Sequence, residues 1–351
     1  MRKNILFVLG AGASKGAIDA PLGNELVWEH SLNSLLSKML DNGIADNSSS
    51  KYLMQNFTIF LLSIEKYYPE LEGLSERFEN RGINFADKNF LIRDFKKKYC
   101  IDEILQMAIE KDDKELIRNI RWLIFEHLIS VGQNCNLYEN IRKYLIDNKN
   151  NNIYNIISFN FDCYINGQLC DKHYFDYNVS FNELSSYKDL KYSQDNKICD
   201  LIKPHGSLDW RICPKCGKTY IRFYEFARTI EQEYCLNDCC KEKLEPLILL
   251  PFESGKEIFN RLIDISKIKI GEAELIYIVG YSFPEYDKDI KELFKKNVNK
   301  NAELIIIDNI VDSEMASRKK KIEEIFIDNK IEFYWDGFKK WLNQFIGKEK
   351  K

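Results

Sequence analysis

Histidine is scarce in this chain, four among 351 residues, and one of the four sits in a turn suited to hold it still. In Lys203-Pro204-His205-Gly206-Ser207 the imidazole of His205 lies between a proline and a glycine. A ring that titrates near neutrality, fixed in a rigid turn, suits a general base or a hydrogen-bonding group, although a lone histidine is more often structural. A second polar group, Ser158-Phe159-Asn160-Phe161-Asp162, closes an apolar run. Two residues apart on extended backbone, Asn160 and Asp162 point the same way, so an amide and a carboxylate can address one ligand. The same residue types also cap helices and form turns.

Small residues gather where negative charge would be cradled. Gly10-Ala11-Gly12-Ala13-Ser14, with Gly16, Pro21 and Gly23 beyond, follows an apolar strand. Glycines there let backbone approach a pyrophosphate, and the next helix offers free N–H groups to it. The third glycine comes one residue late for the usual dinucleotide fingerprint, and a tight strand-to-helix turn accounts for the residues equally well. Val279-Gly280-Tyr281-Ser282, with Asp287 soon after, and Ile307-Asp308-Asn309 follow two more apolar strands. There Gly280 and Ser282 can meet phosphate or ribose, and an acidic residue such as Asp308 can hold ribose hydroxyls; each segment alone is an ordinary strand-end turn.

Sulfur forms the last group. Ten cysteines are present, and five of them fall in one short segment: Cys213-Pro-Lys-Cys216, then eighteen residues, then Cys235-Leu-Asn-Asp-Cys239-Cys240. Two close pairs at this separation supply four thiolates to a tetrahedral zinc, with Cys239 or Cys240 as the fourth ligand. A four-cysteine site is closed, so such a zinc is structural and the chemistry lies elsewhere.

The elements that must position these groups are legible as alternating strands and helices. Strands are expected at Lys3 to Leu9, Ile153 to Phe159, Ile202 to Pro204, Leu247 to Leu250, Leu275 to Val279 and Leu304 to Ile307. Short apolar runs of this kind point to a parallel sheet whose ligands collect at the carboxyl ends of the strands. From Asn24 to Lys149 the pattern is mostly helical, with apolar residues three and four apart through Leu53 to Tyr67, Phe90 to Ile109 and Ile117 to Val131. Ser313 to Phe345 reads as helix, a short strand at Ile331 to Tyr334, and a last amphipathic helix.

Composition bounds the function. A hydrophobic content of 45% supports a real core, and a net charge of −3 asks for no polyanion. The lysine runs Lys96 to Lys98 and Lys319 to Lys321 read as solvated helix faces, so direct contact with nucleic acid is not expected. No apolar run approaches the roughly 20 residues of a membrane span, and the amino-terminal apolar segment is too short for a signal peptide. A soluble, cytoplasmic protein is expected.

Taken in order, the GAGAS loop, SFNFD, KPHGS, the paired cysteines, VGYS and IDN resemble the sirtuin family, from Gly10 to Asn309. The resemblance implies an α/β fold: a Rossmann-like parallel sheet with a helical insertion at 24–149 and a small zinc-binding module at 211–244. It implies one catalytic domain over 1–312 and a helical extension over 313–351 packed upon it. NAD is the implied substrate, its nicotinamide end near Asn160 and His205. Ala11, Gly12 and Ser14, after Gly10, would cradle the phosphates. Asn160 and Asp162 would position the nicotinamide ribose, and His205 would act on its hydroxyl. Gly280, Ser282 and Asn309 would hold the adenosine half.

Departures from the pattern bear on the reaction. Protein-deacylating sirtuins follow the glycine loop with Pro-Asp-Phe-Arg, whereas Pro21 here is followed by Leu-Gly-Asn-Glu. They clamp the acyl-lysine peptide with a Phe-Gly-Glu strand, and the corresponding stretch, Leu250-Pro251-Phe252-Glu253-Ser254, lacks the glycine. The resemblance is therefore to the divergent bacterial branch whose members deplete NAD in antiviral defence. The expected activity is NAD glycohydrolysis, with a sensor or activator protein, or self-assembly into a homo-oligomer, restraining it. The alternatives are an NAD-dependent protein deacylase, which the complete cysteine set favours, and a non-catalytic subunit that senses NAD or ADP-ribose.

Overall fold

Strand β1 (Lys3–Leu9) is buried along five of its seven residues and pairs on both edges. Parallel strands covered on both faces need an apolar run rather than an alternating one, and Ile5, Leu6, Phe7, Val8 and Leu9 supply it. The structure is a computed structural model, and it describes residues 2–18, 48–79, 101–130, 136–170, 175–178, 181–183, 197–221, 233–237, 240–250, 253, 257–284 and 287–348. The expected helix at Phe90 to Ile109 lies partly outside the described residues, as do Cys239, Lys96 to Lys98 and the segment from Pro21 to Glu25.

Beside β1 runs β2 (Asn152–Ser158), in parallel register from Lys3 opposite Asn152 to Leu9 opposite Ser158. Beyond β2 come β5 (Cys199–Ile202) and the short β3 (Phe175–Asp176), both parallel. On the other edge of β1 lie β9 (Leu275–Val279), β10 (Glu303–Ile307) and β11 (Lys330–Tyr334), again all parallel. The seven-stranded order is β11-β10-β9-β1-β2-β5-β3. The chain winds outward from β1 in one direction and later resumes at β9 in the other. By the general rule for sheets with such a reversal, ligands bind in the crevice outside the carboxyl ends of the strands beside it, here β1 and β9. The fold is thus a Rossmann-like α/β sheet.

A second sheet has the order β4-β7-β6-β8, formed by β4 (Asn182–Glu183), β6 (Gly206–Ile212), β7 (Thr219–Ile221) and β8 (Glu245–Ile248). Its β6 was not expected from the sequence. Every residue of β6 is buried, including Ser207, Asp209 and Arg211, so the alternation that marks a half-exposed strand is missing. The strand expected at Ile202 to Pro204 instead ends at Ile202, because Pro204 belongs to the turn between the two sheets.

The helices among the described residues are α1 (Ala11–Ile18), α2 (Ser48–Glu65), α3 (Leu74–Glu79), α4 (Ile101–Glu110), α5 (Lys114–Ser130), α6 (Asn136–Asn148), α7 (Tyr164–Cys170), α8 (Glu257–Glu272), α9 (Lys288–Asn297), α10 (Asp312–Ile325) and α11 (Phe338–Lys348). Helices α2, α4 and α5 pack around Phe60, Ile64, Ile104, Ile120 and Leu123, a core that continues into Cys163, Leu208, Ile248 and Leu250. The helical region between β1 and β2 is therefore joined through apolar side chains to β6, β8 and the loop after β2. At the other end of the chain, Trp341 and Phe345 of α11 stack at 4.7 Å and close over Tyr277 of β9.

Candidate active site

The glycine loop and the turn after β9 are interlocked. Gly12 N–H donates to the Gly280 carbonyl at 2.9 Å, and Gly10 N–H donates to Val279 at 2.9 Å. Gly280 adopts φ +58°, and a Cβ there would lie 2.2 Å from the Ala13 nitrogen. Only glycine accepts both the left-handed backbone and that approach. Gly10 and Gly12 are equally confined, since a Cβ on either would come within 3.0 Å of Gly280 atoms. The three glycines therefore let the turns after β1 and β9 pack backbone against backbone, and Ala11 beside them stays exposed.

Ser14 points inward. Its hydroxyl donates to Asp162 Oδ2 at 2.6 Å and accepts from Asn160 Nδ2 at 3.0 Å, with Tyr138 Oη 3.3 Å away. Asn160 Nδ2 also donates to the Gly10 carbonyl at 2.8 Å. The Ser14 proton is committed to the carboxylate and the Gly10 carbonyl can only accept, so both neighbours require the amide nitrogen on this side. Both amide protons of Asn160 are thereby used, and among the described residues no donor is bonded to its Oδ1, the atom that would accept from a ligand. Asn160, Asp162 and Ser14 are all buried.

Beneath them lies a buried polar network that the sequence reading did not assign. Lys203 is fully buried, and its ammonium donates to the Asp162 carbonyl and, at 3.4 Å, to Asn166 Oδ1. Asn166 Nδ2 donates to Ser207 Oγ at 3.0 Å, and Tyr177 Oη donates to Asp209 Oδ2 at 2.7 Å. Burial pushes the Asp162 carboxyl above its ordinary 3.8, while the Lys203 charge and the Ser14 hydrogen bond pull it back. A visible signal was Lys203 itself, inside the same five-residue motif as His205. Burial also pushes the neighbouring Cys163 thiol well up, so it holds its proton and is no nucleophile.

His205 stands where the chain leaves one sheet for the other. Gly206 has φ +83°, and a Cβ on it would meet the Leu247 carbonyl at 2.2 Å, so the residue after the histidine must be glycine. The His205 carbonyl accepts from Leu249 N–H at 2.8 Å. Its ring lies 5.1 Å from Phe159 and 6.5 Å from Phe161, the two residues that flank Asn160. Burial holds the imidazole below its ordinary 6.5, against opposing pulls from Asp287 and from a backbone hydrogen bond with Phe159. At neutral pH the ring is therefore neutral and able to accept a proton.

The remaining positions lie along the same carboxyl edge. Ser282 carbonyl accepts from Arg318 at 3.0 Å, and the Arg318 guanidinium also stands 3.5 Å from Asp308. Asn309 follows at the end of β10, its side chain 3.3 Å from the Cβ position of Gly337. Gly10, Ala11, Gly12, Ser14, Asn160, Asp162, His205, Gly280, Ser282, Asp308 and Asn309 thus all follow the carboxyl ends of β1, β2, β5, β9 and β10.

At the far end of the second sheet, the sulfur atoms of Cys213, Cys216, Cys235 and Cys240 lie within 4.8 Å of one another. Cys213 and Cys240 are 3.3 Å apart and Cys216 and Cys235 are 3.5 Å apart. Thiolates about 2.3 Å from a tetrahedral zinc sit about 3.8 Å from each other, so the donor set and its size fit that ion. Cys216 N–H points to Cys213 Sγ at 3.4 Å, the backbone support expected around a thiolate ligand.

Among the described residues, the loop after β8 is taken up from behind. Arg121 of α5 donates through Nε to the Ile248 carbonyl at 3.2 Å and pairs with Glu253, whose other oxygen accepts from Leu250 N–H at 2.7 Å. This contact was missed in the sequence. Its signal was an arginine in register with Ile117, Phe125 and Leu128 on an otherwise apolar helix face.

Sheet order, crevice and cysteine cluster together define a Rossmann-like α/β protein with a small four-cysteine sheet. No family model matches the sequence, nor does any curated protein. Among solved structures the chain is similar to a Sir2 homologue in complex with NAD, at 12% identity over 99% of this chain and 90% of that one, with TM-score 0.49. It is also similar to Sir2Tm bound to a propionylated peptide, at 14% identity over 100% and 94% with TM-score 0.41. A third is a complex of Sir2 with p53 peptide and NAD+, at 11% identity over 99% and 94% with TM-score 0.43.

Proposed function

We propose that this chain binds NAD in the crevice and hydrolyses its nicotinamide–ribose bond, releasing nicotinamide and ADP-ribose. The observation that carries the reading is the fixed orientation of Asn160, which leaves one acceptor oxygen for a water or a ribose hydroxyl. In the reaction the C1′–N bond breaks and its electron pair goes to the nicotinamide nitrogen, which neutralises the pyridinium charge. The electrophilic C1′ is then captured by the best placed nucleophile. Water forms the new C1′–O bond and gives up one proton, which neutral His205 accepts and passes to solvent. Asn160 Oδ1 orients that water, and Asp162 holds Ser14 and Asn160 in place from behind.

Glu253 and Leu250, in the stretch that corresponds by motif to the peptide clamp of deacylases, are engaged by Arg121 and the helical core. This supports water over an acyl-lysine as the acceptor. Gly10, Ala11 and Gly12 line the phosphate end, and Ser282, Asp308 and Asn309 the adenosine end. Cys213, Cys216, Cys235 and Cys240 would hold a structural zinc, whose chemistry is to fold the second sheet. We extend the reading to an NAD-depleting effector of bacterial anti-phage defence, restrained by a sensor partner or by self-assembly, with 1–312 as its catalytic unit. No described helix is long and apolar enough to cross a membrane.

The cysteine cluster favours a second reading, an NAD-dependent deacylase. Incubation of purified protein with NAD, with and without an acetyl-lysine peptide, separates the two by mass spectrometry. Free ADP-ribose without peptide supports hydrolysis, and O-acetyl-ADP-ribose formed only with peptide overturns it. His205→Ala and Asn160→Ala are each expected to lose at least about 100-fold in rate with zinc content unchanged. A fully active double variant sinks the site assignment.

A further inference from the structure

The sequence offers Asp287 as a carboxylate for ribose hydroxyls, but the structure turns it elsewhere. Asp287 occupies the N-cap position of α9, where an aspartate ordinarily accepts a hydrogen bond from the first turn, yet its side chain makes no capping bond. One carboxylate oxygen instead accepts from Tyr281 Oη at 2.7 Å, and the other faces His205 Nε2 at 3.8 Å. Both partners of that second contact are largely enclosed, with side chains 16% and 11% exposed for His205 and Asp287.

Tyr281 is itself held on two sides. Its ring stacks on Phe159 at 4.5 Å and meets Phe283 edge-on at 4.8 Å, so its hydroxyl has a fixed address. Phe159 touches His205 as well. The side chains of Phe159, His205, Asp287 and Tyr281 thus form a continuous ring of contacts that joins the turn after β2, the turn after β5 and the turn after β9. Among the described residues, the groups around the imidazole are the Phe159 ring and backbone, the Phe161 ring and the Asp287 carboxylate, and Asp287 is the charged one.

We propose that Asp287, steadied by Tyr281, is a positioning residue that keeps His205 Nε2 aimed and stabilises the imidazolium formed when His205 takes its proton. The inference rests on the reading of His205 as the base in NAD hydrolysis. Nε2, the nitrogen on the side of Asp287, is the one that takes up the proton. Once the ring is protonated both nitrogens carry hydrogen, and the carboxylate lies within reach of the new charge. A small movement from 3.8 Å makes that contact a charge-assisted hydrogen bond.

The test uses a readout independent of turnover. With four histidines in the chain, the His205 resonance is assigned by its loss in His205→Ala and followed against pH in the wild type, Asp287→Asn, Asp287→Glu and Tyr281→Phe. The expected result is a His205 midpoint about one unit lower in Asp287→Asn, a smaller fall in Tyr281→Phe, and partial recovery in Asp287→Glu. The acid limb of kcat/KM should move to lower pH in step, with kcat falling more than KM rises. An unmoved midpoint in a folded Asp287→Asn protein overturns the proposal. A raised KM with an unmoved pH profile does so too, and assigns the carboxylate to the ribose. A shifted midpoint in a protein that never turns over NAD sinks the hydrolase reading alone and leaves the pairing standing.

Discussion

The two ends of the second sheet are built on different principles. At its root, Trp210, Leu247 and Ile248 share the large apolar cores of the parallel sheet and of the helical region. At its tip the buried cluster, among the described residues, is Cys213, Tyr220, Cys235 and Leu244, with Cys240 against it. The root is held by area removed from water, whereas so few residues cannot offset the chain entropy of ordering the loops around them. The tip needs a cross-link, and four thiols around one point provide the place for it. The candidate site residues lie toward the root and the cysteine cluster at the tip, so on the proposed reading the two answer to different forces.

Three experiments sharpen or break that contrast. Removal of metal should have the largest effect, because a structural zinc supplies an apparent free energy on the order of 10–16 kcal/mol to its own segment. Hydrogen exchange after chelation is expected to show lost protection across 213–221 and 233–244, with β1, β2 and β9 unchanged. Uniform loss of protection, or none, breaks the comparison. Next comes Arg121→Met, which removes the charged partner of the Glu253 carboxylate at the root. A destabilisation of about 3–5 kcal/mol is expected from urea denaturation, with zinc content intact. The smallest effect is in the pH dependence of His205. Its folded value lies below the ordinary 6.5 because burial disfavours the charged ring. Its contribution is therefore fully present above pH 6.5 and is lost as pH falls through the lower folded value. Replacement by phenylalanine should flatten the stability curve below pH 6.5, and an unchanged slope there refutes the buried placement.

The placement of the candidate residues was readable because each polar group follows an apolar strand, and Gly10, Asn160, His205, Gly280 and Asn309 could be put at strand ends directly. The partners of those groups were not readable. Ser14 looks like a phosphate ligand in a glycine loop, and only the fold shows its hydroxyl spent on Asp162 and Asn160, 148 and 146 residues away. Strand β6 escaped because it carries serine, aspartate and arginine on buried positions, satisfied by Asn166, Tyr177 and backbone carbonyls supplied by the tertiary structure. Asp287 looks like a ribose ligand in sequence, and the structure shows it accepting from Tyr281 and facing His205.

The passage from β5 through His205 and Gly206 into β6 has a mechanical consequence. The histidine is the last residue before the chain changes sheets, with its own carbonyl tied to Leu249 just beyond β8. His205 therefore sits at the junction of the two sheets, so any rotation of the cysteine-bearing sheet against the parallel one would displace its ring. On the proposed reading, that sheet is a handle on the imidazole that lies outside the NAD site.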